Sequence, residues 1–271
     1  MALVATLCVG LCVVAATLKL APPVQAPEPA AEDVAPVEVV EVAFTRVLQL
    51  PDPPRIPALI VGDSNIFGPL GKSLERSLGA LGFDVKRRGK ATSGLARPDF
   101  FDWSTEARRL LATHQPDLVI AMFGGNDGQR MEFHDASGSP VKMDSGEAWE
   151  LAYQQRIREF ALLLRGSSRR VFILSPTNRR PRFAREKMIR VRVAQERALE
   201  GLAGVTWIDM FPLSSDASGA WLEAGADVNG NPVRYRREDG IHLTPAGGQL
   251  VGQRLLDRLL SEGLTACGAL D

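Results

Sequence analysis

Two stretches far apart in the chain carry the residue types that acyl transfer uses. Leu59-Ile60-Val61-Gly62-Asp63-Ser64-Asn65 puts a hydroxyl directly after an apolar run, on a strand-to-helix turn. The start of a helix favours developing negative charge, which suits a nucleophile. The plainer alternative is that Ser64 caps the helix. Ile66 stands where a Gly-x-Ser-x-Gly elbow would have its second glycine, so that motif is excluded. The second stretch is Asp239-Gly240-Ile241-His242-Leu243-Thr244, with an aspartate three residues before a histidine. A general base needs its imidazole held in one tautomer, and a carboxylate on the far nitrogen does that while stabilising the imidazolium. The other histidines lack this setting: His114 closes a helical pattern and His134 lies in a polar loop.

Two further stretches offer hydrogen-bond donors for an oxyanion. Thr92-Ser93-Gly94-Leu95 contains a glycine whose backbone N–H can approach a substrate oxygen closely, although a plain loop glycine explains it as well. Met122-Phe123-Gly124-Gly125-Asn126-Asp127 closes an apolar run with flexible backbone and then an amide donor. Gly, Asn and Asp also form turns, but a turn alone does not explain their place at the end of a central strand.

The elements that must position these residues follow from hydrophobic periodicity. Short apolar runs predict strands at Ala58–Val61, Phe83–Lys86, Leu118–Phe123, Val171–Leu174 and Val205–Ile208. Amphipathic spacing predicts helices at Pro69–Ala80, Ser104–Thr113, Gly146–Leu164, Phe183–Leu202 and Pro245–Leu260. The last starts with Thr244 as N-cap and Pro245 in its first turn. Alternating strands and helices imply an α/β fold with a parallel sheet covered on both faces, whose ligands bind beyond the carboxyl ends of the strands. Residues 128–144 and 212–237 read as long loops on that rim.

The order Ser, Gly, Asn, then Asp-x-x-His, each after a successive strand, resembles the four signature blocks of the SGNH (GDSL-like) hydrolase superfamily. The resemblance covers roughly Pro57 to Leu260. It implies a three-layer α/β/α, flavodoxin-like fold with a mostly five-stranded parallel sheet. By the same resemblance Ser64 is the nucleophile, His242 and Asp239 complete its triad, and Ser64 N–H, Gly94 N–H and the Asn126 side chain form the oxyanion hole. The finer text, Ser93-Gly94-Leu95-Ala96-Arg97-Pro98-Asp99-Phe100-Phe101-Asp102-Trp103 and Phe123-Gly124-Gly125-Asn126-Asp127-Gly128-Gln129, is similar to an envelope-associated bacterial branch catalogued as a domain of unknown function. The implied reaction is cleavage of an acyl ester, with an O-acyl group on an envelope glycan as candidate substrate. The rival readings are a polysaccharide O-acyltransferase using the same triad and a non-catalytic, tethered polymer-binding module.

Composition narrows the partners. Lys plus Arg and Asp plus Glu both number 32 in 271 residues, so no global field recruits nucleic acid. Cys8, Cys12 and Cys267 suit neither a domain disulfide nor a zinc site, and no metal is expected. Gly62-Asp63-Ser64-Asn65-Ile66-Phe67-Gly68 fits neither a dinucleotide nor a phosphate-loop pattern, so no cofactor is implied. Residues 1–20 read as a signal peptide or membrane anchor, against which the first cation, Lys19, follows the apolar run instead of preceding it. Residues 21–52 read as a Pro/Ala-rich disordered linker and 53–271 as the catalytic domain, which places the protein in the periplasm or envelope. A basic segment from Arg179 to Arg197 follows the fourth strand, with a solvated helix face as its bland reading. Candidate substrate contacts are Asp63, Arg97, Trp103, for which core packing is the alternative, and Arg179, Arg180 and Arg182, the last three facing carboxylates or phosphates of an anionic polymer. Arg97 and Asp99 can equally form a structural pair.

Overall fold

A computed structural model describes residues 54–265, apart from residues 130, 132, 135, 136, 138, 142–145, 181 and 228 and the side chains of 133, 134, 140 and 182–184. The expected leader and linker lie outside the described residues. Among the described residues no helix is long and apolar enough to cross a membrane.

The chain runs β1 (Ile56–Gly62), α1 (Ser64–Phe67), α2 (Pro69–Ala80), β2 (Phe83–Gly89), α3 (Trp103–His114), β3 (Leu118–Met122), a short pair β4 (Phe133–His134) and β5 (Pro140–Val141), α4 (Glu147–Arg165), β6 (Arg170–Leu174), α5 (Arg182–Leu199), β7 (Val205–Ile208), α6 (Met210–Leu213), a second short pair β8 (Ala224–Ala226) and β9 (Pro232–Arg234), and α7 (Pro245–Ser261). The five long-range strands form a parallel sheet in the order β2-β1-β3-β6-β7. The predicted strands are all there, and the two predicted loops carry the small antiparallel pairs β4–β5 and, in the second loop, α6 with β8–β9.

Strand alternation sorts the apolar residues into two cores. Ala58, Ile60, Ile120, Met122, Phe172 and Leu174 face α2 and α7, with Leu70, Leu74, Val251 and Leu255 packed on them. Leu59, Val61, Val119, Ala121, Val171 and Ile173 face the opposite layer, against Leu110, Phe160, Leu164 and Leu199 of α3, α4 and α5. Burial on both faces is why β3 is apolar throughout, Leu-Val-Ile-Ala-Met, where a half-exposed strand would alternate.

Register then sets the site. Gly62 lies opposite both Gly89 and Met122, Met122 opposite Leu174, and Leu174 opposite Ile208. All five strands end at one level. The chain leaves β1 for β2 on one side and returns to β3 on the other, so the crevice between the ends of β1 and β3 is the switch point where such sheets bind ligands.

Candidate active site

Ser64 and Asn126 emerge into that crevice from β1 and β3. Asp63, not Ser64, caps the short helix α1: its Oδ1 accepts from the Asn65 backbone N–H at 2.8 Å and from Asn65 Nδ2 at 3.0 Å. The capping alternative for Ser64 is thereby removed, and its hydroxyl is left for other work. Asp63 Oδ2 accepts from Gly125 N–H at 3.1 Å, tying the serine turn to the loop after β3. A Cβ on Gly125 would sit 2.3 Å from that carboxylate oxygen, so the approach requires glycine. Asp63 is fully buried, which corrects the expectation that it touches substrate. Burial pushes its pKa up, while hydrogen bonds from Asn65 and the charge of Arg179 pull against that shift.

The loop before α7 brings the histidine to the serine. His242 Nε2 lies 3.3 Å from Ser64 Oγ, and His242 Nδ1 lies 2.8 Å from Asp239 Oδ2. With Nδ1 against a carboxylate, that nitrogen carries the proton and Nε2 is the acceptor facing the hydroxyl. Asp239 Oδ1 also accepts from the N–H groups of Ile241 and His242, at 2.8 and 2.9 Å. Partial burial works to raise the Asp239 pKa, but the hydrogen bonds from His242 and Ile241 outweigh it and draw it down to about 2. The carboxylate therefore stays charged whenever the base is at work.

Two arginines clamp this loop onto the segment after β6. Arg180 donates from Nη2 to Glu238 O at 2.9 Å, its own N–H reaches Gly240 O at 3.1 Å, and its guanidinium lies over Trp221. Arg236, almost wholly buried, donates to Ile241 O at 2.8 Å and Asn178 O at 3.0 Å. The sequence reading offered Arg180 as a substrate contact and overlooked Arg236; the structure gives both a hand in placing His242. Arg236 carries no signal in the sequence beyond its nearness to Asp239.

On the other side of the crevice, Asn126 donates one amide hydrogen to Ser93 O at 2.9 Å and retains a second donor. Gly94 is pressed onto Asp127, whose Oδ1 would lie 2.1 Å from any Cβ there. Asp127 is buried; Oδ1 accepts from Ala96 N–H at 2.8 Å and Oδ2 from the Tyr153 hydroxyl at 2.9 Å, with Gln195 donating to that hydroxyl and to Phe123 O. Burial raises the Asp127 pKa to about 6 despite those bonds. The network holds the Gly94 loop against the Asn126 loop. Asp127 was visible in the sequence as the last letter of a motif; Tyr153 and Gln195 sit mid-helix among ordinary residues and gave no sign.

The remaining candidates separate. Trp103 belongs to the core, edge-on to Phe101 and Phe123 with Nε1 donating to Ser93 Oγ at 2.9 Å, so it supports the Gly94 loop. Arg97 pairs with Asp99 through two bonds, at 2.8 and 2.5 Å, as the structural alternative anticipated. Arg179 is buried beside Asn126. The side chain of Arg182 lies outside the described residues. Within the basic segment, Arg192 pairs with Asp209 at 2.9 Å and Arg197 with Glu150 at 3.7 Å, so part of that charge is structural.

A cleft of about 430 Å³ opens on the Ser64–His242 side, lined by Phe67, Pro69, Arg237 and Pro245 among others. A smaller pocket of about 190 Å³ lies on the Asn126 side.

Comparison with known proteins agrees with this architecture. The profile of a family described as "Protein of unknown function (DUF459)" matches residues 57–258. No curated protein matches the sequence. Among solved structures, a catalytic mutant of an acetylxylan esterase from Geobacillus stearothermophilus is 15% identical, with 78% of this chain and 96% of that chain covered and a TM-score of 0.53. An α/β hydrolase enzyme from the metagenome of Lake Arreo, Spain, is 16% identical, with 79% and 95% covered and a TM-score of 0.51. At such identities the likeness is one of fold.

Proposed function

The chain belongs to the DUF459 family, and on that premise we propose that it is an SGNH-type serine esterase that removes an acyl group through a Ser64 acyl-enzyme. The observation that carries the reading is the hydrogen-bonded line Ser64 Oγ, His242 Nε2, His242 Nδ1, Asp239 Oδ2 at the switch point of the sheet. His242 takes the Ser64 proton as Oγ attacks the ester carbonyl, and the imidazolium is stabilised by Asp239. Ser64 N–H, Gly94 N–H and the second Asn126 amide hydrogen receive the oxyanion. The proton then passes from His242 to the leaving alcohol, and water clears the acyl-enzyme by the same steps.

The shared fold with an acetylxylan esterase supports an O-acylated glycan as substrate, and the open cleft beside His242 has room for a sugar unit. The apolar leader supports work outside the cytoplasm, with envelope polysaccharide as the substrate.

A fluorophosphonate probe and p-nitrophenyl acetate test the reading together. Labelling and ester cleavage are expected for the parent and absent in Ser64→Ala. A correctly folded parent that is neither labelled nor active overturns the esterase reading.

A further inference from the structure

The small pocket on the Asn126 side holds a cation that the triad does not use. Asn126, Gln129, Arg179 and Lys187 line it beside the buried Met188, and among the described residues no acidic side chain does. Arg179 is 93% buried, being 7% exposed, and its Nε finds no hydrogen-bond partner among the described residues. Burial disfavours its charge, and the carboxylates of Asp63 and Asp239 offset that in part. A buried cation is costly unless an anion completes it, and this guanidinium lines a pocket whose described wall carries a second cation, Lys187. Its Nη2 lies against the Cα of Gly125, where an added Cβ would be 2.7 Å away, so the cation stands one residue from the oxyanion donor Asn126.

The tetrahedral intermediate decides which part of the substrate meets this pocket. The reacting carbon carries four groups: Ser64 Oγ, the oxyanion, the leaving oxygen and the acyl chain. His242 must hand its proton to the leaving oxygen, so the alcohol lies in the His242 cleft. The oxyanion points at Asn126 and Gly94. The acyl chain is the group left over, and the pocket that adjoins the oxyanion donor Asn126 is the one lined by Arg179.

We propose that the pocket formed by Arg179, Lys187 and Asn126 is an acyl subsite for a terminal carboxylate, and that the substrate is a short dicarboxylic half-ester, such as a succinyl ester, on a sugar hydroxyl. This rests on the esterase reading and names its acyl group. Ser64 Oγ bonds to the proximal carbonyl carbon, the bond to the sugar oxygen breaks, and the Ser64 proton leaves on that oxygen through His242. Water then adds, releasing the dicarboxylate and restoring Ser64. The distal carboxylate stays on the guanidinium throughout.

The test compares the 6-O-succinyl and 6-O-(4-methylpentanoyl) esters of methyl glucoside, which match in acyl shape and differ in charge. The parent is expected to favour the succinyl ester in kcat/KM by about 10-fold or more, as a charge-assisted hydrogen bond allows. Arg179→Gln should bring that ratio to about one, and Lys187→Gln should lower it several-fold. If Arg179→Gln does not fold, the parent and Lys187→Gln decide. An equal or greater rate on the neutral ester, with Ser64 still labelled by fluorophosphonate, overturns the acyl assignment alone. So does a preference for an acetyl ester of methyl glucuronide over that of methyl glucoside without any preference in the succinyl pair, which would put the carboxylate on the glycan. Loss of labelling and of both cleavages would instead overturn the esterase reading beneath it.

Discussion

The two halves of the site are built in opposite ways. The nucleophile half hangs on Asp63 and Asp127, both fully buried, whose oxygens accept bonds from residues 62 and 31 positions away. The base half is a surface loop: the side chains of Asp239 and His242 are 41% and 42% exposed, and Asp239 is held by N–H groups two and three residues on. Their electrostatics diverge accordingly. Burial drives the Asp63 and Asp127 pKa values up, whereas hydrogen bonding pulls that of Asp239 down. One half is inseparable from the fold, and the other can be altered with the fold intact.

The sharpest way to break this contrast is to remove the base. His242→Ala should lower kcat by about 10³- to 10⁴-fold or more with the melting temperature almost unmoved; a large fall in stability would show that the loop is no independent unit. Asp239→Asn should also keep the fold while losing activity through the wrong tautomer, read as a fall in kcat greater than any rise in KM. On the other half, Asn126→Ala should lower kcat by about 10²- to 10³-fold, and a near-normal rate would strip Asn126 of its oxyanion role.

The buried half should respond in stability instead. Asp127→Ala leaves the Ala96 N–H and the Tyr153 hydroxyl unpaired in the interior, at a cost of about 2–4 kcal/mol, or a melting temperature lower by roughly 5–10 °C. A change within the noise of calorimetry would mean that the network is dispensable. The pH dependence has a definite sign. The folded protein holds a proton on Asp127 up to about pH 6 that the unfolded chain releases near its ordinary value of 3.8. The Asp127 contribution is therefore fully present below the lower value and lost as pH rises through the higher one, a change of about 3 kcal/mol. Asp127→Asn, which cannot ionise, should lose less stability than the parent between about pH 4 and 7 in denaturant titrations. The smallest effect is expected from Arg180→Ala, which frees Glu238 O and the face of Trp221: about 1 kcal/mol or less in stability and a few-fold fall in kcat, with thermal melting and ester kinetics as the measurements.

Legibility in the sequence follows the same division. Helix α2 was predicted at its observed bounds, and α3, α4 and α7 within one residue at each end, because amphipathic spacing and caps such as Thr244 are local. The predicted end of α5 ran to Leu202 and the observed helix stops at Leu199, since a turn at Gly201, with φ of +67°, intervenes. The Asp239–His242 pairing was readable for the same reason: three residues of spacing nearly dictate the contact. The core position of Trp103 was not legible, because aromatic composition does not say which way a side chain faces, and its partners Ser93 and Phe123 come from other elements.

What the sequence by itself determined is therefore whatever short spacing controls: the alternation of strands and helices, the sheet buried on both faces, the turn that presents Ser64 and the carboxylate behind His242. Tertiary structure alone decided the contact between Ser64 and His242, 178 residues apart, the bond from Gly125 N–H to Asp63, the Tyr153–Asp127 bond and the burial of Arg179 beside Asn126. Each of these depends on five parallel strands ending at one level, and that alignment is set by backbone pairing between distant segments, which no local pattern of side chains encodes.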